Sequence, residues 1–111
     1  MRLQDLVKET KELKVIYRTS KAEFVVELEY RPQIVTLGFL DEIATLDTMG
    51  RLVYQIEKLV AKWDLQDDDG EIIPVTEEAI RKSGIPIYLM NSIVESITKD
   101  RMLFTNESKK D

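Results

Sequence analysis

Between Leu13 and Tyr30 apolar and polar residues alternate, and after Pro32 the apolar spacing lengthens to that of a helix. This change of period limits the fold more than any motif in the chain does. In LKVIYR, Leu13, Val15 and Tyr17 share one face; in EFVVELEYRP, Phe24, Val26, Leu28 and Tyr30 lie opposite Val25, Glu27, Glu29 and Arg31. Two half-buried strands are expected, joined by a hairpin loop at TSKA and ended by Pro32, which has no N–H to give a ladder.

Helical spacing dominates the remainder. Leu3, Leu6 and Val7 predict a short amphipathic helix ahead of the strands. Thr36 can cap a helix expected to turn Leu37, Leu40, Ile43 and Ala44 inward, with Phe39 and Leu46 widening the stripe. After the Asp47-Thr48 break, Leu52, Val53, Ile56, Leu59 and Val60 recur at i, i+1, i+4, i+7 and i+8, an apolar stripe over three turns. Thr76 caps a further helix through Arg81, with Glu77 and Glu78 at its positive dipole end and Ser83-Gly84 after it. Pro86 opens the last helix at its first position, with Leu89, Met90, Ile93, Val94 and Ile97 as the stripe.

From the end of the third of these helices into the fourth runs KWDLQDDDGEIIPVTEEAI, residues 62–80. Trp63 and Leu65 alternate with polar neighbours, Asp68-Asp69-Gly70 tolerates positive φ, and Glu71-Ile72-Ile73 leads back before Pro74. A short acidic hairpin is expected. Aligning Gly70 on the glycine of a calcium loop puts Asp67 and Asp69 at ligand positions, but Leu65 and Thr76 then occupy the first and last, where carboxylates are needed. No metal site is expected there. Residues 62–78 set Lys62 against Asp64, Asp67, Asp68, Asp69, Glu71, Glu77 and Glu78, net −6 in a chain of net −5, so the rest carries +1. That distribution argues against nucleic acid, whose phosphates need clustered Lys and Arg.

At 111 residues one domain is the expectation: an α+β domain over 1–104 and a disordered tail, TNESKKD, over 105–111. The chain has no Cys and no His, which removes disulfides, thiolate sites and the commonest general base and zinc ligand. Phosphate-loop, dinucleotide and nucleophile-elbow motifs are missing, so no catalytic residue, cofactor or metal is assigned. No apolar run approaches a membrane span, and MRLQDLVKETKELK is too charged for a signal peptide, so a cytosolic protein without a membrane partner is expected.

Two features could meet a partner. Trp63 sits where the best helix meets the acidic hairpin, and serves either to pack the two together or as a contact. The stripe Leu89, Met90, Ile93, Val94 and Ile97, with neighbouring Tyr88, is either core or an adaptable groove. A homo-oligomer is compatible with either.

The order ELEYRP (27–32), a helical stretch, LVAKWDLQDDDGEIIPVTEEAI (59–80) and a Pro-started final helix resembles the small tail assembly chaperones of long, non-contractile-tailed bacteriophages. The resemblance runs from about Glu27 to Ile97 and is most specific over residues 63–80; it departs at Ser83-Gly84-Ile85, where a leucine-proline junction is expected. It implies a non-enzymatic protein that binds the tape measure protein in the host cytoplasm, keeps it soluble, helps recruit tail tube subunits, and is absent from the mature virion. It also implies a longer product made by ribosomal slippage near Lys109-Lys110, whose extension contacts the tail tube protein. A structural virion protein, such as a tail completion or head-tail joining subunit, is the alternative.

Overall fold

The computed structural model describes residues 1–110, with side chains through residue 102. The disordered tail expected over 105–111 lies outside the residues described in full. Helix α1 (Leu3–Val7) precedes a hairpin of β1 (Lys11–Arg18) and β2 (Glu23–Tyr30). A 3-10 turn at Pro32–Ile34 leads into α2 (Leu37–Thr45) and α3 (Thr48–Leu59). The chain then forms β3 (Val60–Trp63), α4 (Glu77–Lys82) and α5 (Ile87–Lys110). The architecture is α+β, with one antiparallel sheet in the order β1-β2-β3.

The alternation sets the hairpin register. Leu13 faces Leu28, Val15 faces Val26 and Tyr17 faces Phe24, so the inward sets of both strands lie on one face. Helices α3 and α5 cover that face, sending Leu52, Val53, Ile56 and Leu59 from one and Leu89, Met90, Ile93 and Ile97 from the other into a single core. The opposite face of the sheet is open, and carries Glu12, Lys14, Ile16 and Arg18 on β1 beside Glu23, Val25 and Glu27 on β2.

The third strand departs from the sequence expectation. Val60 continues the helical stripe in sequence, yet α3 ends at Leu59 and Val60 pairs with Tyr30. Lys62 then pairs with Glu29 and Trp63 with Leu28; the register shift leaves Ala61 extra, which lets both Val60 and Trp63 point into the core. Arg31 fixes the changeover. Its N–H donates to the Leu59 carbonyl at 2.7 Å, and its guanidinium to the carbonyls of Lys58 and Val60 at 3.0 and 3.2 Å, satisfying groups that the helix end leaves over. The strand edge of β2 therefore outcompetes another turn of helix.

The helix starts follow their capping residues. Phe39 N–H donates to the Thr36 hydroxyl, Gly50 N–H to the Asp47 carboxylate and Ala79 N–H to the Thr76 hydroxyl, at 3.1, 2.7 and 3.2 Å. Glu57 reaches across from α3 to accept from Glu77 N–H at 2.8 Å, so α4 is docked as well as capped. Pro86 immediately precedes α5, its carbonyl accepting from Met90 N–H.

Helix α2 is rotated from the expected orientation. Phe39 is buried and rests against the Tyr54 ring with centroids 5.5 Å apart, and Ile43 and Leu46 are half-buried on the same side. Leu37, Leu40 and Ala44, expected inward, face solvent. At 100° per residue, positions 39 and 43 lie on one side of α2, with Leu46 following at its C-cap, and 37, 40 and 44 lie about a third of a turn round. Both stripes are apolar, and the aromatic one wins because the larger ring removes more area from water.

Candidate interaction surface

The residues singled out as contacts mostly serve the core. Trp63, Leu89, Met90, Ile93 and Ile97 are buried, Ile93 and Ile97 completely, and Val94 is half-buried. Tyr88 alone stays out, 78 % exposed, on the outer side of α5 beside a shallow depression lined by Asn91, Ser92, Glu95 and Thr98. The Trp63 indole N–H donates to the Ile73 carbonyl at 2.7 Å, so the ring ties the acidic segment to the sheet.

The acidic segment closes as a short hairpin with one bridge, Gln66 to Ile72. Its organiser is Asp67. That carboxylate accepts from the N–H groups of Asp69 and Glu71 at 2.9 and 3.0 Å, and Gly70 takes φ 81°. Asp68, Asp69 and Glu71 are exposed, and among the described residues no group of Asp and Glu is placed to hold a metal ion. No helix of the described residues is long and apolar enough to cross a membrane.

On the open face of the sheet a depression of about 540 Å³ is lined by Glu12, Lys14, Glu27, Glu29, Lys62 and Asp64. Its charges are largely used up. Lys14 pairs with Glu27 at 3.6 Å and Lys62 with Glu29 at 2.7 Å, while Asp64 accepts from Glu27 N–H at 3.0 Å.

One part-buried polar network joins sheet to helix. The Tyr30 hydroxyl donates to Asp100 Oδ2 at 2.5 Å, and Lys11 Nζ lies 2.9 Å from the same oxygen. Burial raises the Tyr30 phenol well above its ordinary range, reinforced by the Asp100 hydrogen bond and charge and opposed in part by Arg101. Burial also pushes the Asp100 carboxyl upward, but the hydrogen bonds from Tyr30 and Lys11 and the Lys11 charge outweigh it and hold the carboxyl below the usual carboxylate value. The Tyr30 hydroxyl and the Asp100 carboxylate are both satisfied, which fits a strut.

Among the exposed apolar residues, which include Leu3, Phe24, Ile72 and Ile87, the outer side of α2 carries several at helical spacing. Leu37 is 81 % exposed and Leu40 52 %, with Ala44 one turn further on. A second apolar pair, Ile16 and Val25, lies directly cross-strand on the open sheet face, each about half exposed. Sequence reading missed both surfaces. The signal for the first was available, since 37, 40 and 44 have the i, i+3, i+7 spacing of a contact stripe, but nothing in the sequence says which stripe of α2 is covered. No protein-family model, curated protein or solved structure matches the chain.

Proposed function

We propose that this protein is a tail assembly chaperone of long, non-contractile-tailed bacteriophages: it binds the tape measure protein, keeps it soluble in the host cytoplasm, and helps recruit tail tube subunits. The resemblance over residues 63–80 supplies the family. The observation that carries the binding role is the exposed α2 stripe of Leu37, Leu40 and Ala44, three apolar residues at helical spacing on one side of a helix. A tape measure chain of coiled-coil character exposes apolar stripes before tube subunits surround it. An apolar helical stripe on a soluble carrier can cover such a surface reversibly. The acidic turn, with Asp68 and Asp69 exposed, adds solubility and repels premature self-association of loaded carriers.

Co-expression with the tape measure protein of the same phage tests this. The expected outcome is a higher soluble yield of the tape measure protein and co-elution on size exclusion. An equally insoluble tape measure protein with no co-elution overturns the proposal. Mass spectrometry of purified particles separates the alternative: recovery of this chain in fixed copy number makes it a virion component.

A further inference from the structure

We propose that the free edge of β1 pairs with the same edge of a second copy of the chain, antiparallel about a two-fold axis at Val15, joining the two three-stranded sheets into one. The edge is long and regular: β1 has eight residues, no proline and no register shift against β2. The other edge, β3, has four residues and a bulge. An open, regular edge strand presents a row of N–H and C=O groups that template a further strand, whereas short and bulged edges discourage it.

The ladder shows which groups are presented. Thr19 N–H donates to the Ala22 carbonyl at 2.8 Å, in the same register as the rest of the hairpin. By the alternation of an antiparallel pair, Leu13, Val15 and Tyr17 turn their backbone groups to β2, and Glu12, Lys14, Ile16 and Arg18 turn theirs outward. Pairing centred on Val15 uses those outward groups and keeps each sheet face continuous.

Charge selects the register. Glu12 stands directly across from Glu29, a like-charge pair, and the Glu29 carboxylate is taken by Lys62 at 2.7 Å and the Thr10 hydroxyl at 3.2 Å. Glu12 makes no salt bridge among the described residues. Centring on Val15 sets Glu12 of each copy against Arg18 of the other, where the guanidinium that holds Glu23 at 2.8 Å would be shared with the incoming carboxylate, and sets Leu13 against Tyr17. It also lays the Lys14 stem of one copy beside Ile16 of the other, covering an exposed apolar residue. Centring on Lys14 opposes that lysine to itself, and centring on Ile16 opposes Lys14 to Arg18. Centring on Leu13 also pairs Glu12 with Lys14, but it brings Lys11 against Val15 and shortens the overlap to residues 11–15, so length as well as charge disfavours it. Slips by one residue would exchange the buried and open faces.

The proposal does not depend on the chaperone reading, since the purified chain alone tests it. Sedimentation velocity from low micromolar to near-millimolar concentration should show a reversible shift from the 12.9 kDa chain mass to twice that value. Lys14→Pro removes an outward N–H without touching the β1–β2 ladder, and should leave a monomer with unchanged circular dichroism. Arg18→Glu should weaken the dimer about tenfold or more, because two symmetry-related pairs change sign, and Glu12→Arg combined with Arg18→Glu should restore it. The chain has no cysteine, so mixing Lys14→Cys with Ile16→Cys reads the register: a disulfide should form between the two variants faster than within either alone. A chain that sediments as a monomer throughout, a dimer indifferent to both Lys14→Pro and Arg18→Glu, or cross-linking without preference for the mixed pair overturns the proposal.

Discussion

The Trp63 indole N–H and the Ile73 carbonyl, ten positions apart in sequence, meet at 2.7 Å in a buried hydrogen bond that spans the acidic hairpin. Around this contact Ile73 is buried and Leu65 half-buried, so the segment after β3 is anchored although its tip is fully solvated. Trp63→Phe keeps most of the ring's apolar area but leaves the Ile73 carbonyl without its donor. A loss of about 1–3 kcal/mol is expected, the cost of an unsatisfied buried acceptor plus the smaller ring. Urea denaturation followed by circular dichroism measures it, since the variant loses the chain's only tryptophan; a change below about 0.5 kcal/mol would show the hydrogen bond to be dispensable.

The Tyr30–Asp100–Lys11 network gives stability a limit at each end of the pH scale. Asp100 titrates lower in the folded state than in the unfolded chain. Its contribution is therefore fully present above the unfolded carboxyl value of about 4 and is lost as pH falls through the lower folded value. Tyr30 titrates higher when folded. The folded state keeps its proton where the unfolded chain has released it, so stability falls as pH rises beyond about 10. Urea midpoints across pH should show that Asp100→Asn is most destabilising near neutrality and converges on the parent chain in acid. Parallel curves for the two proteins would show that the Asp100 charge is immaterial.

The hairpin, the caps at Thr36 and Thr76 and the α3 stripe were legible because each is encoded within a few residues. Three features were not. Phe39 and Leu37 each head an apolar stripe of α2, and only the position of Tyr54 on the next helix decides which is covered. Val60 continues a helical pattern locally, and becomes a strand because the free edge of β2 and the Arg31 donors lie beside it. Tyr30 and Asp100 are seventy positions apart and no local signal pairs them. The candidate surface suffered from the same limit. Leu89, Met90, Ile93 and Ile97 have the spacing of either a core or a groove, and packing against α3 and β1 settles them as core.

Ile93 and the Leu37-Leu40 pair should respond in opposite ways to the same substitution. Ile93 is 0 % exposed, so Ile93→Asp buries an unpaired carboxylate at a cost above about 3 kcal/mol and should abolish cooperative unfolding at ambient temperature. Leu37→Asp with Leu40→Asp alters solvated positions and should leave stability within about 1 kcal/mol of the parent chain. On the proposed function this double variant, folded by circular dichroism, should fail to solubilise the tape measure protein. Full retention of binding by the folded double variant would move the contact away from α2.

The acidic turn should behave as a backbone device that needs no ion. Asp67 Oδ1 accepts from two N–H groups of its own turn and Gly70 adopts φ 81°, with nothing within 4 Å of where a Cβ would sit. Asp67→Ala should cost about 0.5–1.5 kcal/mol through the lost hydrogen bonds, and Gly70→Ala about 1 kcal/mol through the left-handed backbone alone. Calcium should add nothing, because a site centred on Gly70 would present Leu65 and Thr76 where an ion requires carboxylates, and because Asp67 already spends an oxygen on backbone N–H groups. Thermal unfolding with and without millimolar calcium should give the same midpoint, and isothermal titration should give only dilution heat. A saturable heat together with a raised midpoint would mean that the turn rearranges around the ion, and Asp67→Ala should then abolish the shift.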